Sequence, residues 1–413
     1  MGRQSQLTLT DVCKQIVDCE HKTAPTQGQG YPSIRTPNIG RGRLILDGVN
    51  RVSEDTYRAW TRRAVPRAGD LVLAREAPVG NVAIIPEGLQ VCLGQRTVLL
   101  RPDPLVINPA YLAYLLLGDE IQARFQGIAA GATVPHLNVD DIRSHVLPPL
   151  PPRKAQDAVA SILSAYDDLI ENNRRRIQLL EQGARLLYKE WFVHLRFPGH
   201  EHTQIIDGVP EGWEAGTIGD LGEVITGKTP SKKKPENFGS DLPFIKTPDM
   251  HGNAIVVHTE ESLSEEGTKT QANKTLPPRS ILVSCIGTVG AVAFNASPAQ
   301  TNQQINSIVP ASDLVTFWTY FMAKELKPLL EGMGGGATMA NVNKSKFAGI
   351  KVVIPSKQLL NLFSDFAKPV FDQIENLTIS NARLGKARDL LLPKLMNGEI
   401  RIQDDEKLVE GLR

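Results

Sequence analysis

DDLIENN at residues 167–173 and FDQIENL at residues 371–377 are almost the same phrase, written twice in one chain. Asp168 recurs as Asp372, an offset of 204 residues, and that offset also carries Ile170-Glu171-Asn172 onto Ile374-Glu375-Asn376 and Leu186-Leu187 onto Leu390-Leu391. The likeness extends upstream. YPSIRTPNI (31–39) parallels LPFIKTPDM (242–250), GDLVLAREAPVGNVAII (69–85) parallels RSILVSCIGTVGAVAFN (279–295), and GATVPHLN (131–138) parallels GATMANVN (336–343). A period of this size is a duplicated domain, far longer than the roughly 20–50 residues of a solenoid repeat.

Each copy closes on a long helical pattern. In the first, Val159, Leu163, Tyr166, Ile170, Asn173, Ile177, Leu180, Ala184, Leu187 and Trp191 alternate at spacings of four and three. In the second, the same spacing picks out Phe363, Ala367, Val370, Ile374, Leu377, Asn381, Leu384, Arg388, Leu391 and Leu395. Such a seam is the mark of a coiled coil, whereas a helix lying on its own domain wants a broader apolar face. A duplicated chain pairs its two helices antiparallel about a pseudo-twofold axis. Setting Asn173 opposite Asn381 then places Ile177 against Leu377, Ile170 against Leu384, Leu163 against Leu391, Val159 against Leu395 and Trp191 against Phe363. The core is thus expected to be Leu163, Ile170, Ile177, Leu180 and Leu187 with Ile374, Leu377, Leu384 and Leu391, and the Asn pair sets the register. Pro369 lacks an amide proton, so a kink or restart is expected early in the second helix.

The globular parts read as α/β. Short β-branched runs (NVAII, TVLL, ILVS, INSIV) alternate with turn residues, while YLAYLLLGDEIQARF and LVTFWTYFMAKELKPLL read as helices. The proline clusters LPPLPPR (147–153) and VIPSK (353–357) end each globular part, because proline continues neither a ladder nor a helix interior. The expected division is a recognition domain over 1–150, a central long-helix region over 151–200, a second recognition domain over 201–355, a distal long-helix region over 356–400 and a tail over 401–413.

At 413 residues with net charge +1, the chain has no global basic field, so contact with nucleic acid requires local patches. It holds no apolar run near the length of a membrane span, no apolar leader, and four cysteines without metal spacing, which point to a reducing cytoplasmic setting. No phosphate-loop, dinucleotide, zinc-protease or nucleophile-elbow motif occurs, and the glycine clusters at 28–30 and 332–338 read as turns or loops. His136 has Ala340 at the matching place in the second copy and reads as structural, so no catalytic residue and no metal site are expected. The basic clusters are more informative. Arg41 and Arg43, with Arg62 and Arg63, give the first module an arginine-rich surface, and Lys232, Lys233 and Lys234 give the second a lysine-rich one, suited to phosphate backbones although a solvated face is the plainer alternative. Arg35 and Lys246 are equivalent in the repeat, as are Gln95 and Gln303, with Arg96 and Gln304 beside them. These are candidate base readers, since arginine and glutamine pair bidentately with guanine and adenine edges.

GVPEGWEAGTIGDLGEVITGKTPS (208–231), the segment LPPLPPRKAQDAVASILSAYDDLIENNRRRIQLLEQGARLLYKEWFV (147–193) and the ending LLPKLMNGEI (391–400) resemble the specificity subunit of type I restriction-modification systems, over nearly the whole chain. The resemblance implies two target-recognition domains, each reading one half of a split, asymmetric site on double-stranded DNA. It also implies an antiparallel pair of conserved helices that docks modification (methyltransferase) subunits, two in number, and helps assemble restriction/translocase subunits. It implies no cofactor on this chain: S-adenosylmethionine, and ATP with Mg for restriction, are used by the partner subunits, which methylate an adenine flipped from the duplex. Residues 159–191 as helix would span about 50 Å, of the order needed to place two readers roughly one DNA turn or more apart.

Two other classes compete. A stand-alone methyltransferase or nuclease is disfavoured by the lack of an N/D-P-P-[YFW] motif. A protein-binding scaffold is separated by its expected lack of salt-dependent DNA binding.

Overall fold

The computed structural model describes residues 7–130, 135–333 and 341–400. The GAT portions of the paired segments, Gly334, Gly335 and Gly336, and the tail over 401–413 lie outside the described residues. The chain forms two compact units, one made of residues up to Leu169 together with those from Leu384 onward, the other of Ile170–Arg383.

The first unit contains strands β1 (Cys13–Asp18), β2 (Tyr31–Ile34), β3 (Gly42–Arg43), β4 (Arg51–Val52), β5 (Leu71–Ala74), β6 (Val82–Ile84), β7 (Cys92–Leu93) and β8 (Thr97–Pro102), then helices α1 (Pro109–Leu117) and α2 (Asp119–Ala129). The long helix α3 (Arg153–Tyr188) follows and runs on into the second unit. There the strands of the two main sheets are β9 (Gly222–Thr226), β10 (Phe238–Ile245), β11 (Ile255–Val256), β12 (Glu261–Leu263), β13 (Ile281–Ser284), β14 (Val292–Asn295), β15 (Gln300–Thr301) and β16 (Ile305–Pro310). Helices α4 (Asp313–Glu325) and α5 (Lys327–Met333) come next, and α6 (Lys357–Met396) returns to the first unit from Leu384.

The duplication shows in the topology of the two main sheets. The central sheet is ordered β1-β8-β5-β6-β3 in the first unit and β9-β16-β13-β14-β11 in the second, and a small sheet is ordered β4-β2-β7 and β12-β10-β15. In both central sheets only the last edge pair is parallel. Connections repeat bond for bond: Gly94 N donates to the Ile34 carbonyl at 2.7 Å as Asn302 N does to that of Ile245 at 3.1 Å, and Leu137 N reaches the Arg75 carbonyl as Val342 N reaches that of Cys285.

Both faces of each central sheet are covered, so its inner strands are buried at nearly every position rather than alternating. Successive side chains still go to opposite sides. Leu71, Leu73, Val98 and Leu100 join the helical core of the first unit, while Val72, Ala74 and Leu99 join a second core with Ile34 and Ile39. In the second unit Ile281 and Val283 face the helices and Leu282 faces away. Helix α1 starts where the sequence gives a cap and a proline, the Asn108 carboxamide oxygen accepting from Tyr111 N at 3.0 Å with Pro109 next.

The long helices pack on each other and on the globular parts. Within the second unit, Trp191 and Phe363 lie edge to face at 6.1 Å, while further along Asn173 Nδ2 donates to Asn381 Oδ1 at 3.0 Å and Asn381 Nδ2 to the Ile170 carbonyl at 3.2 Å. Numbers rise along α3 as they fall along α6, so the pair is antiparallel. Trp191 stands on a single π-helical turn, Lys189–Val193, that closes α3. Beside the seam, Phe371 is fully buried against Phe294, Phe317 and Tyr320 at centroid distances of 5.4, 5.2 and 5.1 Å. The buried face of α6 is therefore broader than a strict seam, because one flank meets α3 and the other meets α4 and the sheet. Helix α6 does not restart at Pro369. The backbone hydrogen bond forfeited there is offset by full burial of Phe363 and Phe371 on either side, each worth about 1.5–3 kcal/mol. In the first unit, Val159, Ala160 and Leu163 share a core with Leu392 and Leu395, Leu391 packing alongside.

Arg388, a charged residue at a seam position, is accommodated by a half-buried network in the first unit: it pairs with Asp167, whose other oxygen accepts from Tyr114 Oη at 2.6 Å. No helix of the described residues is long and apolar enough to cross a membrane.

Candidate nucleic-acid interface

The candidate readers sit where the small sheet meets the end of the central one. In the first unit, the turn between β7 and β8 carries Gln95 and Arg96. Gln95 Nε2 donates to the His21 carbonyl at 3.1 Å and its Oε1 accepts from Thr23 Oγ1 at 3.4 Å. Arg96 adopts φ +67°, a left-handed conformation a side chain rarely takes, and its side chain, 58% exposed, brings Nε 2.9 Å from Glu76. Arg35 reaches the same place, since a Cβ on Gly94 would stand 2.5 Å from Arg35 Cγ. Its backbone N caps onto Asn38 Oδ1 at 3.1 Å, leaving the side chain exposed.

The second unit repeats this constellation with different chemistry. Thr229 Oγ1 donates to Gln303 Oε1 at 2.7 Å, as Thr23 does to Gln95, and Thr247 Oγ1 donates to Gln304 Oε1 at 3.3 Å. Lys246 N bonds Asp249 Oδ2 at 2.7 Å, the counterpart of the Arg35 turn. Lys246 Nζ, however, is engaged by Glu261 at 2.9 Å and Glu260 at 3.3 Å, and the hydrogen bond to Glu261 chiefly raises its pKa above the usual lysine value. Lys232, Lys233 and Lys234 are exposed on the loop before β10, with Lys232 Nζ 4.0 Å from Glu261.

The remaining arginines have other surroundings. Arg41 Nη2 donates to the Leu117 carbonyl at 3.0 Å, and Arg43 lies on edge strand β3. Arg62 Nε donates to the Ala59 carbonyl at 3.2 Å, and Arg63 lies 3.7 Å from Glu20 while donating to the Asp18 and Cys19 carbonyls at 3.4 Å. The structure thus gathers Arg35, Gln95 and Arg96 in one unit and Lys232, Lys246, Gln303 and Gln304 in the other, and sets Arg41 and Arg43 apart on the β3 edge. Sequence reasoning passed over Thr23, Thr229, Glu260 and Glu261, whose neighbours come together only through strand pairing.

Among the described residues no cluster of His, Cys, Asp and Glu stands where a metal ion could be held. Burial pushes the Cys13 thiol up to about 12 and that of Cys285 up to about 11, so both are thiols at neutral pH and poor nucleophiles. His136 is half-buried.

The family model described as type I restriction modification DNA specificity domain matches twice, over residues 6–182 and 210–382. The chain is 33% identical to the type I restriction enzyme HindI specificity subunit of Haemophilus influenzae, over 90% of this chain and 95% of that one. It is 26% identical to the type I restriction enzyme MjaIX specificity subunit of Methanocaldococcus jannaschii, over 87% and 84%. Among solved structures, the S subunit of a type I restriction-modification system from M. genitalium shares the fold with a TM-score of 0.57, at 16% identity over 96% of this chain and 97% of that one.

Proposed function

We propose, from the premise that the chain belongs to the type I restriction-modification DNA specificity family, that each globular domain reads one half of a bipartite, asymmetric site on double-stranded DNA. In this reading the paired long helices dock methyltransferase subunits, and restriction/translocase subunits assemble on the same complex. The chain supplies recognition and performs no bond chemistry. Methyl transfer from S-adenosylmethionine, and ATP- and Mg-dependent cleavage, fall to the partners.

The observation that carries this reading is one fold present twice with different side chains at the same address. Arg35 in one unit is Lys246 in the other, and Arg96 is Gln304, while Gln95 and Gln303 keep the same threonine bond. A duplicated scaffold with unlike readers suits two unlike half-sites. The lysines of the second domain and the arginines of the first would neutralise phosphates, giving affinity that falls steeply with salt.

The test is binding of the full chain to a library of duplexes with randomised sequence at graded salt. A split motif with two unlike halves, and a log–log salt dependence of several units, is the expected result. Salt-independent association with proteins and no DNA enrichment would favour a scaffold, and methylation by the chain alone with S-adenosylmethionine would overturn the division of labour.

A further inference from the structure

Arg96 is an exposed side chain with a dedicated holder. Its Nε lies 2.9 Å from Glu76 Oε2, the arginine side chain being 58% exposed and that of the glutamate 21%. An ion pair so open to solvent adds little to stability. A carboxylate beside a surface that meets phosphates also weakens general attraction to DNA. Neither stability nor affinity therefore accounts for Glu76.

The second domain shows what changes with it. Arg75 N donates to the Arg96 carbonyl at 2.9 Å as Cys285 N donates to that of Gln304 at 2.8 Å, so Glu76, next after Arg75, stands where Ile286 follows Cys285. Where the exposed residue is an arginine, its neighbour is a carboxylate; where it is a glutamine, the neighbour is an isoleucine. Gln304 is held by other groups, its Oε1 accepting from Asn302 Nδ2 at 3.0 Å and from Thr247 Oγ1 at 3.3 Å. Asn302 in turn takes the place of Gly94, where a Cβ would stand 2.5 Å from Arg35 Cγ. Residue and holder change together. The backbone changes as well, since Arg96 takes φ +67° and Gln304 does not share that left-handed conformation. Side chains held in this region are costly to fold and gather at functional sites.

Resting on the DNA-reading function proposed above, we infer that Arg96 reads a guanine of the first half-site and that Glu76 is its positioning residue. Glu76 meets the guanidinium at Nε, and the two Nη groups beyond it form the planar fork that donates to guanine O6 and N7 in the major groove. Ile286 offers no acceptor to an arginine, which suits the amide at Gln304.

The experiment compares full-length wild type, Glu76→Gln, Arg96→Ala and the double variant on duplexes with randomised bases, each protein's folding checked by thermal unfolding. Wild type enriches a split motif with a guanine in one half. Glu76→Gln is expected to reduce the preference for that guanine about tenfold, while the other positions and the thermal midpoint stay unchanged and affinity for non-specific duplex does not fall. Arg96→Ala loses the same guanine, and adding Glu76→Gln to it changes nothing more. Glu76→Ile, which copies the second domain, relaxes the same position and serves where the amide variant fails to fold. An unchanged motif in both folded Glu76 variants overturns the positioning role, as does a guanine preference that falls further in the double variant than in Arg96→Ala. A uniform loss of affinity for all sequences in Arg96→Ala makes that residue a phosphate contact and overturns the guanine assignment. A wild-type chain that enriches no motif removes the DNA-reading premise itself.

Discussion

Replacing the paired amides of the second unit, one buried and one half-buried, puts the proposed register to the test. Asn173 is 8% exposed, its Nδ2 donates to Asn381 Oδ1 at 3.0 Å, and Asn381 Nδ2 in turn reaches the Ile170 carbonyl at 3.2 Å. In Asn173→Ala the Asn381 oxygen is deprived of that donor. In Asn381→Ala the buried Asn173 amide is stranded. Each single change is expected to cost about 1–3 kcal/mol, because a polar group left unpaired in a helix seam bears its desolvation cost without compensation. For a unit of this size that lowers the thermal midpoint by about 2–4 °C per kcal/mol. Asn173→Leu with Asn381→Leu should instead match or exceed wild type, since both polar groups leave together and apolar side chains replace them. Urea and thermal unfolding of the full-length chain, followed in the transition of the second unit, measure all four proteins. If the double-leucine variant falls by the sum of the single losses, the two amides act independently and the reasoning fails. Its cost should show as lost uniqueness: cysteines at 177 and 377 crosslink efficiently in wild type, and in the leucine background 177 should also trap 370 or 384.

The network at Arg388 gives a larger effect. With Arg388 and Asp167 side chains 16% and 13% exposed, Arg388→Ala leaves a carboxylate buried without its cation and should destabilise the first unit by about 3 kcal/mol, against about 1 kcal/mol for Tyr114→Phe. Equal losses in chemical denaturation would remove the ion pair from the account. His145 is buried against Phe125 at 4.7 Å, and burial first, then Arg124, lowers its pKa below the usual imidazole value. The unfolded chain therefore takes up that proton first: the contribution of neutral His145 is full above about pH 6.5 and is lost as pH falls below it. His145→Phe should flatten the acid-side decline of the first unit's stability, and identical pH profiles would refute this. Replacing Lys232, Lys233 and Lys234 with alanine should weaken DNA binding alike for all sequences and reduce the salt slope by about 0.9 for each phosphate no longer neutralised. A change of preferred motif would make them readers instead.

Much of this architecture is legible in the sequence because duplication writes every element twice. Asn173 and Asn381 fall opposite each other in the structure because both occupy the same kind of seam position, and heptad spacing is a local property that a single sequence displays. What local pattern does not display is the second flank of a helix. Phe371 sits one residue after seam position Val370 and is buried by aromatic rings on α4 and β14, elements that only the folded sheet brings near. The candidate interface divides in the same way. Gln95, Gln303, Arg35 and Lys246 are found by aligning the copies, but the engagement of Lys246 by Glu261 and of Arg41 by the Leu117 carbonyl depends on groups distant in sequence.

The first unit takes its core from both ends of the chain: Leu392 and Leu395, 7% and 6% exposed, complete the cluster around Leu163 and the β5 leucines. During synthesis the amino-terminal sheet emerges long before those leucines are made, whereas the second unit is one continuous span from Ile170 to Arg383. Domains ordinarily finish in the order in which they leave the ribosome. Here that order is reversed: the unit begun first must wait, with apolar surface uncovered, until the last helix arrives. A premature stop shortly after Arg383 would therefore harm the oldest part of the chain most.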